Sequence, residues 1–139
     1  MNVEVNYLAV FLAALSSMAV GSIWYARPVF GKAWAKMVNL DEQKMKDGAS
    51  RAIIVTMIVS FITAYVLAHV TFLSNHFFGN SYLQDALMTA FWLWLGLTAA
   101  RFITHDAFEG RPTKLTAMNI SHELVTLLVM GLIIGLLRP

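Results

Sequence analysis

The sequence lacks cysteine and has little charge. Only 13% of its 139 residues are Asp, Glu, Lys or Arg, and 58% are hydrophobic, whereas soluble domains carry about 25% charged residues. The absence of cysteine excludes disulfides, cysteine zinc sites, iron–sulfur clusters and cysteine nucleophiles. A soluble chain of this size needs more polar side chains to cover its surface. The composition therefore predicts a single domain, residues 1–139, that is surrounded by lipid.

The sequence also lacks the short motifs of common enzyme classes. It has no GxSxG, HExxH, Walker A or GxGxxG pattern, so we expect neither an enzyme nor a cofactor. The net charge is only +2, and the basic residues lie in loops beside apolar runs. That distribution is typical of membrane topology rather than of nucleic-acid binding.

Four apolar stretches are present, at residues 7–25, 52–73, 82–103 and 115–137. Each is long enough to cross a hydrocarbon core of about 30 Å as a helix. The sequence thus predicts an all-α integral membrane four-helix bundle. Because no Lys or Arg precedes the first stretch, we expect a retained helix there rather than a cleaved signal peptide.

The distribution of Lys and Arg predicts the orientation. The second loop has none, whereas the first and third loops contain Arg27, Lys32, Lys36, Lys44, Lys46, Arg51, Arg111 and Lys114. The positive-inside rule then places the first and third loops in the cytoplasm. We expect a multi-pass protein of the bacterial inner membrane, with both termini outside the cytoplasm.

The first loop contains apolar residues at helical spacing. They are Phe30, Ala33, Trp34, Met37 and Leu40, with Lys32 and Lys36 between them. This pattern predicts a short amphipathic helix at the membrane interface, with Phe30, Lys32, Trp34 and Lys36 in contact with lipid. The alternative is a simple connector anchored by its Trp and Lys side chains.

Small residues recur at intervals of four in the predicted spans. Examples are Ala9, Ala13, Ser17 and Gly21 in the first span, and Gly131 and Gly135 in the last. Such stripes allow helices to approach closely in lipid. They are compatible with packing inside one chain and with a homo-oligomer, and a functional pore built from four-helix chains requires the oligomer.

Ionisable residues inside membranes are candidates for function. Arg101, His105 and Asp106 near the end of the third span face Asn119, His122 and Glu123 near the start of the fourth in the predicted topology. One interpretation is an Arg101–Glu123 ion pair with hydrogen bonds from His122 and Asn119. The other is a site for a proton or small substrate, in which a proton is exchanged for a cation.

The opposite end of the bundle offers His69 and Asp85 as weak candidates for metal ligation. Histidine and carboxylate groups bind divalent metals. Their spacing matches no known ligand pattern, so we expect no metal.

Several motifs resemble a known family of small membrane proteins. They are Trp24-Tyr25-Ala26-Arg27-Pro28, Phe30-Gly31-Lys32-Ala33-Trp34 and Phe108-Glu109-Gly110-Arg111-Pro112. Together they resemble domain-of-unknown-function family 1761 over nearly the whole chain, although Arg27 stands where a small residue is expected. The resemblance implies a mostly bacterial, four-helix integral membrane protein and implies no activity.

Two functional hypotheses follow. In the first, the protein is an oligomeric transporter or channel-like protein for a small solute or ion, with a protonatable site at Arg101, His122 and Glu123. In the second, it is a non-catalytic membrane partner that docks lipid or another protein through its basic first loop. Neither involves nucleic acid.

Overall fold

The structure is a computed structural model that describes residues 2–39 and 42–139, a range that contains helices and no strand. The α-helices are α1 (Tyr7–Trp24), α2 (Lys32–Met37), α3 (Glu42–Phe78), α4 (Tyr82–Leu93), α5 (Ala100–Phe108) and α6 (Thr113–Leu136). A π-helical turn at Arg27–Gly31 precedes α2, and another at Trp94–Ala99 joins α4 to α5. The prediction of an all-α protein is confirmed.

Four helical stretches are long and apolar enough to cross a membrane. They are Tyr7–Trp24, Gly48–Phe78, Tyr82–Phe108 and Thr113–Leu136. Each coincides with a predicted span, but α3 begins at Glu42 rather than at residue 52, and the third stretch continues to Phe108. Hydropathy marks only the apolar part of a helix, whereas Glu, Gln, Lys, Met and Ala continue a helix beyond that part.

The helices form an up-and-down bundle. Helix α1 packs against α3 and α6, and α4 packs against the same two helices. The side-chain amide of Asn6 donates a hydrogen bond of 2.8 Å to the carbonyl oxygen of Leu137. The two ends of the described chain therefore lie together. The first loop and the α5–α6 turn lie at the other end, as the alternation of four helices requires.

Small side chains allow these helices to approach closely. Ala13, Ala64 and Ala90 are fully buried. A Cβ atom added at Gly131 would lie 3.0 Å from the carbonyl oxygen of Ala86. Larger side chains complete the core, among them Leu67, Leu127, Met130 and Ile134.

The last helix uses its GxxxG motif within the chain. A Cβ atom at Gly135 would lie 2.8 Å from both the Cα and the Cδ1 of Leu83 on α4. Two glycines one turn apart therefore form a flat surface on which α4 rests. For this stripe the interpretation as intramolecular packing is confirmed.

Apolar side chains also cover the outside of the bundle. Ile54, Ile58 and Ile62 follow one another at every fourth position of α3 and are each more than half exposed. Apolar surfaces of this extent are rare on soluble monomers. This apolar surface accompanies the four helices that are long and apolar enough to cross a membrane.

The first loop contains the predicted helix over part of its length. Helix α2 spans Lys32–Met37, and Phe30, Lys32 and Lys36 are exposed while Trp34 is partly buried. Leu40, which the pattern also included, lies outside the described residues.

Candidate functional site

A cleft of about 580 Å³ opens between α1, α3 and α6. Its ionisable side chains are His122 and Glu123 on α6 and Tyr25 at the end of α1. Each of the three helices also contributes hydroxyl groups, among them Ser17, Ser60 and Thr126. Most of the lining surface is nevertheless apolar, so the cleft combines polar groups with an apolar wall, as small-molecule sites do.

The polar residues of α6 lie on one face, as their spacing predicts. The Nδ1 atom of His122 lies 3.3 Å from the Oε1 atom of Glu123, and its Nε2 atom lies 3.5 Å from the hydroxyl of Thr126. The His122 side chain is 14% exposed and that of Glu123 is 35% exposed. One turn earlier, Asn119 accepts a hydrogen bond of 3.3 Å from the hydroxyl of Tyr25. The histidine is thus held while the carboxylate remains accessible from the cleft.

Aromatic rings cover the histidine at the end of α1. The ring centroids of Tyr25 and Trp24 lie 5.0 Å and 6.0 Å from that of His122. Trp34 packs on Tyr25, and Phe30 packs on Trp24. Tilted and T-shaped ring pairs of this kind add stability beyond their buried area. The first two motifs of the family resemblance therefore form one aromatic layer over the histidine, here called the aromatic cap (Trp24, Tyr25, Phe30 and Trp34).

A close turn brings the aromatic cap into place. The N–H of Gly31 donates a hydrogen bond of 3.0 Å to the carbonyl oxygen of Ala26. A Cβ atom at Gly31 would overlap the carbonyl oxygen of Tyr25. Only glycine permits this approach, which explains the glycine between Phe30 and Lys32 in the motif.

The Tyr25 hydroxyl is electrostatically coupled to the cleft. Burial, and secondarily the negative charge of Glu123, raise the pKa of Tyr25 from 10.0 to about 12. The phenol therefore remains neutral, and its O–H donates the hydrogen bond to the Oδ1 atom of Asn119.

One contact in the cleft has no counterpart in the sequence hypotheses. The hydroxyl groups of Ser17 and Ser60 lie 2.7 Å apart, and Ser17 also lies 2.7 Å from the carbonyl oxygen of Ala14. Both serines belong to the small-residue stripes, which predicted close packing. Those stripes carry no information about which hydroxyl groups meet, because that depends on the register of α1 against α3.

Arg101 does not lie in this cleft. It is exposed on α5 and lines a separate surface groove of about 450 Å³ that also contains His105 and Asp106. Among the described residues it forms no ion pair with Glu123. The single cluster expected from the sequence is therefore divided into two, and the hypothesis of an Arg101–Glu123 pair is not supported.

The π-helical turn explains this division. In an uninterrupted α-helix, residues 97 and 101 share the face of Ala90, because positions seven and eleven apart align. Each extra residue in a π-helical turn rotates the residues that follow by about 100°. Here Ala99 is buried, Leu97 is 67% exposed, and the indole N–H of Trp94 donates a hydrogen bond of 2.7 Å to the carbonyl oxygen of Ile120.

The Glu-Gly-Arg-Pro motif (Glu109, Gly110, Arg111, Pro112) forms the turn between α5 and α6. Gly110 has a φ of +65°. Its N–H donates a hydrogen bond to the carbonyl oxygen of Ala107, and the N–H of Arg111 donates one to the carbonyl oxygen of Asp106. This is a Schellman helix end, in which glycine adopts the left-handed conformation. The motif is therefore explained by the local structure of the turn.

Side chains reinforce the same turn. Asp106 is buried and accepts a hydrogen bond of 2.6 Å from the hydroxyl of Thr116. Arg111 lies 2.6 Å from Glu109 and 3.7 Å from Asp106. The hydrogen bond from Arg111 to Glu109, and the charge of that carboxylate, raise the pKa of Arg111 further.

At the opposite end, the structure does not join His69 to Asp85. Asp85 is buried, and its two oxygens accept hydrogen bonds from the amides of Asn75 (2.8 Å) and Asn80 (2.9 Å). The Nδ1 atom of His69 lies 3.0 Å from the carbonyl oxygen of Tyr65. Within residues 2–39 and 42–139, no three His, Asp or Glu side chains are placed to hold a metal ion.

The fold and the cleft define a small all-helical protein with four candidate membrane-spanning helices. The sequence model of the family described as "Protein of unknown function (DUF1761)" matches residues 8–135. The chain therefore belongs to this family, and the resemblance drawn from its motifs is confirmed. No curated protein and no solved structure matches the chain.

Proposed function

We propose that the protein is an integral membrane protein that exchanges a small cation for a proton, and that the cleft beside His122 and Glu123 is its binding site. The observation that carries this proposal is an accessible carboxylate next to a histidine in a largely apolar cleft. Ionisable groups at such positions in membrane proteins commonly serve ion and proton pathways.

Insertion in a membrane is supported by the surface of the bundle. Ile54, Ile58 and Ile62 face outward along α3, where lipid tails would surround them. Lys32, Lys36 and Arg111 are exposed at the end that contains the first loop. We therefore propose that this end faces the cytoplasm of a bacterium and that both termini face outward.

The cleft offers suitable ligands for a small cation. Glu123 supplies negative charge, and the hydroxyls of Ser60 and Thr126 supply neutral oxygens from two helices. A proton on Glu123 or His122 competes with a cation for the same site, because only one positive charge is compensated by a single carboxylate. Competition of this kind is the basis of exchange.

We further propose that transport requires a homo-oligomer. Leu67 and Ile134 fill the centre of the bundle beyond the cleft, and Met130 closes the cleft on that side. A continuous polar path through one four-helix chain is hard to build, because little space remains once the helices pack. Copies of the chain placed side by side provide a boundary along which the path can continue.

The test is a flux measurement in liposomes of neutral lipid that contain a pH-sensitive dye. We expect imposed gradients of Na⁺, K⁺ or tetramethylammonium to drive proton movement with the native chain. Glu123→Gln should abolish that movement, and Glu4→Gln, the same change at an exposed position near the N-terminus, should preserve it. Equal fluxes in native protein, Glu123→Gln and empty liposomes would refute the proposal.

A second candidate function is supported by the exposed face of the first loop. Phe30, Lys32 and Lys36 are all exposed there, a combination of apolar and basic groups that suits anionic membrane surfaces or an acidic partner. If docking is the function, the double variant Lys32→Gln, Lys36→Gln should lose binding to such a surface or partner, whereas Glu123→Gln should retain it. Loss of function in Glu123→Gln, with function retained in the double variant, supports transport.

A further inference from the structure

The groove beside Arg101 contains two kinds of surface. Leu97 and Phe102 are exposed apolar side chains on the side of the span, whereas Arg101, His105 and Glu109 are polar and lie toward the α5–α6 turn. The groove measures about 450 Å³. If the chain is inserted as proposed, this boundary between apolar and polar groups lies where lipid tails meet headgroups.

The charges of the groove are incompletely matched within the chain. The side chain of Arg101 forms no ion pair or hydrogen bond with another described residue. Arg111 lies between two carboxylates, those of Glu109 and Asp106, and of these Asp106 is buried and also bound by Thr116. Among the exposed side chains, the guanidinium of Arg101 therefore lacks an anion, and the carboxylate of Glu109 shares the cation Arg111 with Asp106.

We infer that this groove binds one phospholipid with a zwitterionic headgroup that ends in a primary ammonium, namely phosphatidylethanolamine. The guanidinium of Arg101 matches the phosphate through paired N–H donors. The ammonium, with three N–H donors, matches the carboxylate of Glu109. Leu97 and Phe102 contact the beginning of the acyl chains. A neutral headgroup suits a groove whose two arginines and two carboxylates balance.

This inference depends on the proposed insertion in a membrane and is independent of transport. The π-helical turn shapes the groove, because it turns Leu97 and Arg101 outward from the face on which Ala90 lies. A regular helix would direct both toward α6 and leave no groove. The extra residue in the backbone therefore creates the groove on the outer surface of the bundle.

Lipid binding is tested by native mass spectrometry of the full chain in a neutral detergent. Phosphatidylethanolamine, phosphatidylcholine and phosphatidylglycerol with identical acyl chains are added in turn. We expect one tightly bound phosphatidylethanolamine, retained about fivefold better than phosphatidylcholine, which has the same charge and no N–H donors. A preference for phosphatidylglycerol, or no preference, would overturn the assignment of the headgroup.

Two variants with matched controls locate the binding site. Arg101→Gln should lower the retention of both zwitterionic lipids, whereas Arg51→Gln, at an exposed arginine on α3, should not. Glu109→Gln should remove only the preference for phosphatidylethanolamine over phosphatidylcholine, and Glu4→Gln should leave it. Equal losses in Arg101→Gln and Arg51→Gln would show a general charge effect and overturn the inference.

A labelling experiment keeps the test valid if a variant fails to fold. Phosphatidylethanolamine with a photoreactive group near the glycerol is incorporated with the native chain into liposomes and irradiated. We expect label on the peptide that contains Leu97 and Phe102. Label confined to α2 or to α3 would place the lipid elsewhere. A chain that binds this lipid but shows no cation flux retains the inference and loses the transport proposal.

Discussion

Replacing Gly135 by alanine is expected to destabilise the bundle. The added Cβ would lie 2.8 Å from the Cα of Leu83, which is backbone, and 3.2 Å from the Cβ of Ala86. Backbone atoms of a packed helix cannot move aside independently, so α4 and α6 must separate. Gly131→Ala meets its nearest neighbours at 3.0 Å and 3.1 Å and should have a smaller effect.

The magnitude follows from two opposing contributions. Overpacking a tight contact costs about 1–3 kcal/mol, and alanine is favoured over glycine in a helix by about 1 kcal/mol. The net loss expected for Gly135→Ala is therefore up to about 2 kcal/mol. Gly48→Ala is the matched control, because nothing lies within 4 Å of its added Cβ, and it should gain up to about 1 kcal/mol.

The free energy of unfolding is measured by titration with sodium dodecyl sulfate in mixed micelles, followed by far-ultraviolet circular dichroism. From the most to the least stable, the expected order is Gly48→Ala, native chain, Gly131→Ala and Gly135→Ala. If Gly135→Ala and Gly48→Ala changed stability by the same amount, the close contact between α4 and α6 would be refuted.

Three further predictions concern other contacts. Asp85→Asn leaves two amide donors without a charged acceptor and should cost about 1–3 kcal/mol in the same titration; unchanged stability would contradict the contact. Gly110→Ala forces alanine to a φ of +65° and should cost about 1–2 kcal/mol, whereas Gly110→Asn should cost less. Because the pKa of Tyr25 rises from 10.0 to about 12, the stability that this neutral phenol contributes is complete below about pH 10 and disappears as the pH rises through 12. Alkaline ultraviolet titration should show a lower pKa for Tyr25 in Glu123→Gln, since a negative charge has been removed, and Tyr25→Phe should lack this ionisation.

Much of the architecture follows from contiguous stretches of sequence. The four apolar runs coincide with the four long helical stretches, and the apolar spacing in the first loop coincides with α2 at Lys32–Met37. Gly131 and Gly135 lie four residues apart, which predicted the close approach of a neighbouring helix. Runs, spacings and turn residues act locally, so they can be recognised without knowledge of the tertiary contacts.

The candidate site is only partly predictable in this way. Asn119, His122 and Glu123 lie together because they share a face of one helix, and their spacing predicts that. Arg101 was expected to join them and does not. Hydropathy does not mark the π-helical turn at Trp94–Ala99, because an extra backbone residue leaves the apolar run unchanged.

The sequence by itself determined an all-helical chain with four apolar stretches, positive loops at one end and a protonatable pair on the last helix. Only the tertiary structure decided that Tyr25 donates a hydrogen bond to Asn119, that Ser17 is hydrogen-bonded to Ser60, and that Arg101 lies in a separate groove. The physical reason is that contacts between helices depend on their relative rotation and register. A single extra residue in a helical turn changes that rotation by about 100° without changing the hydropathy of the run.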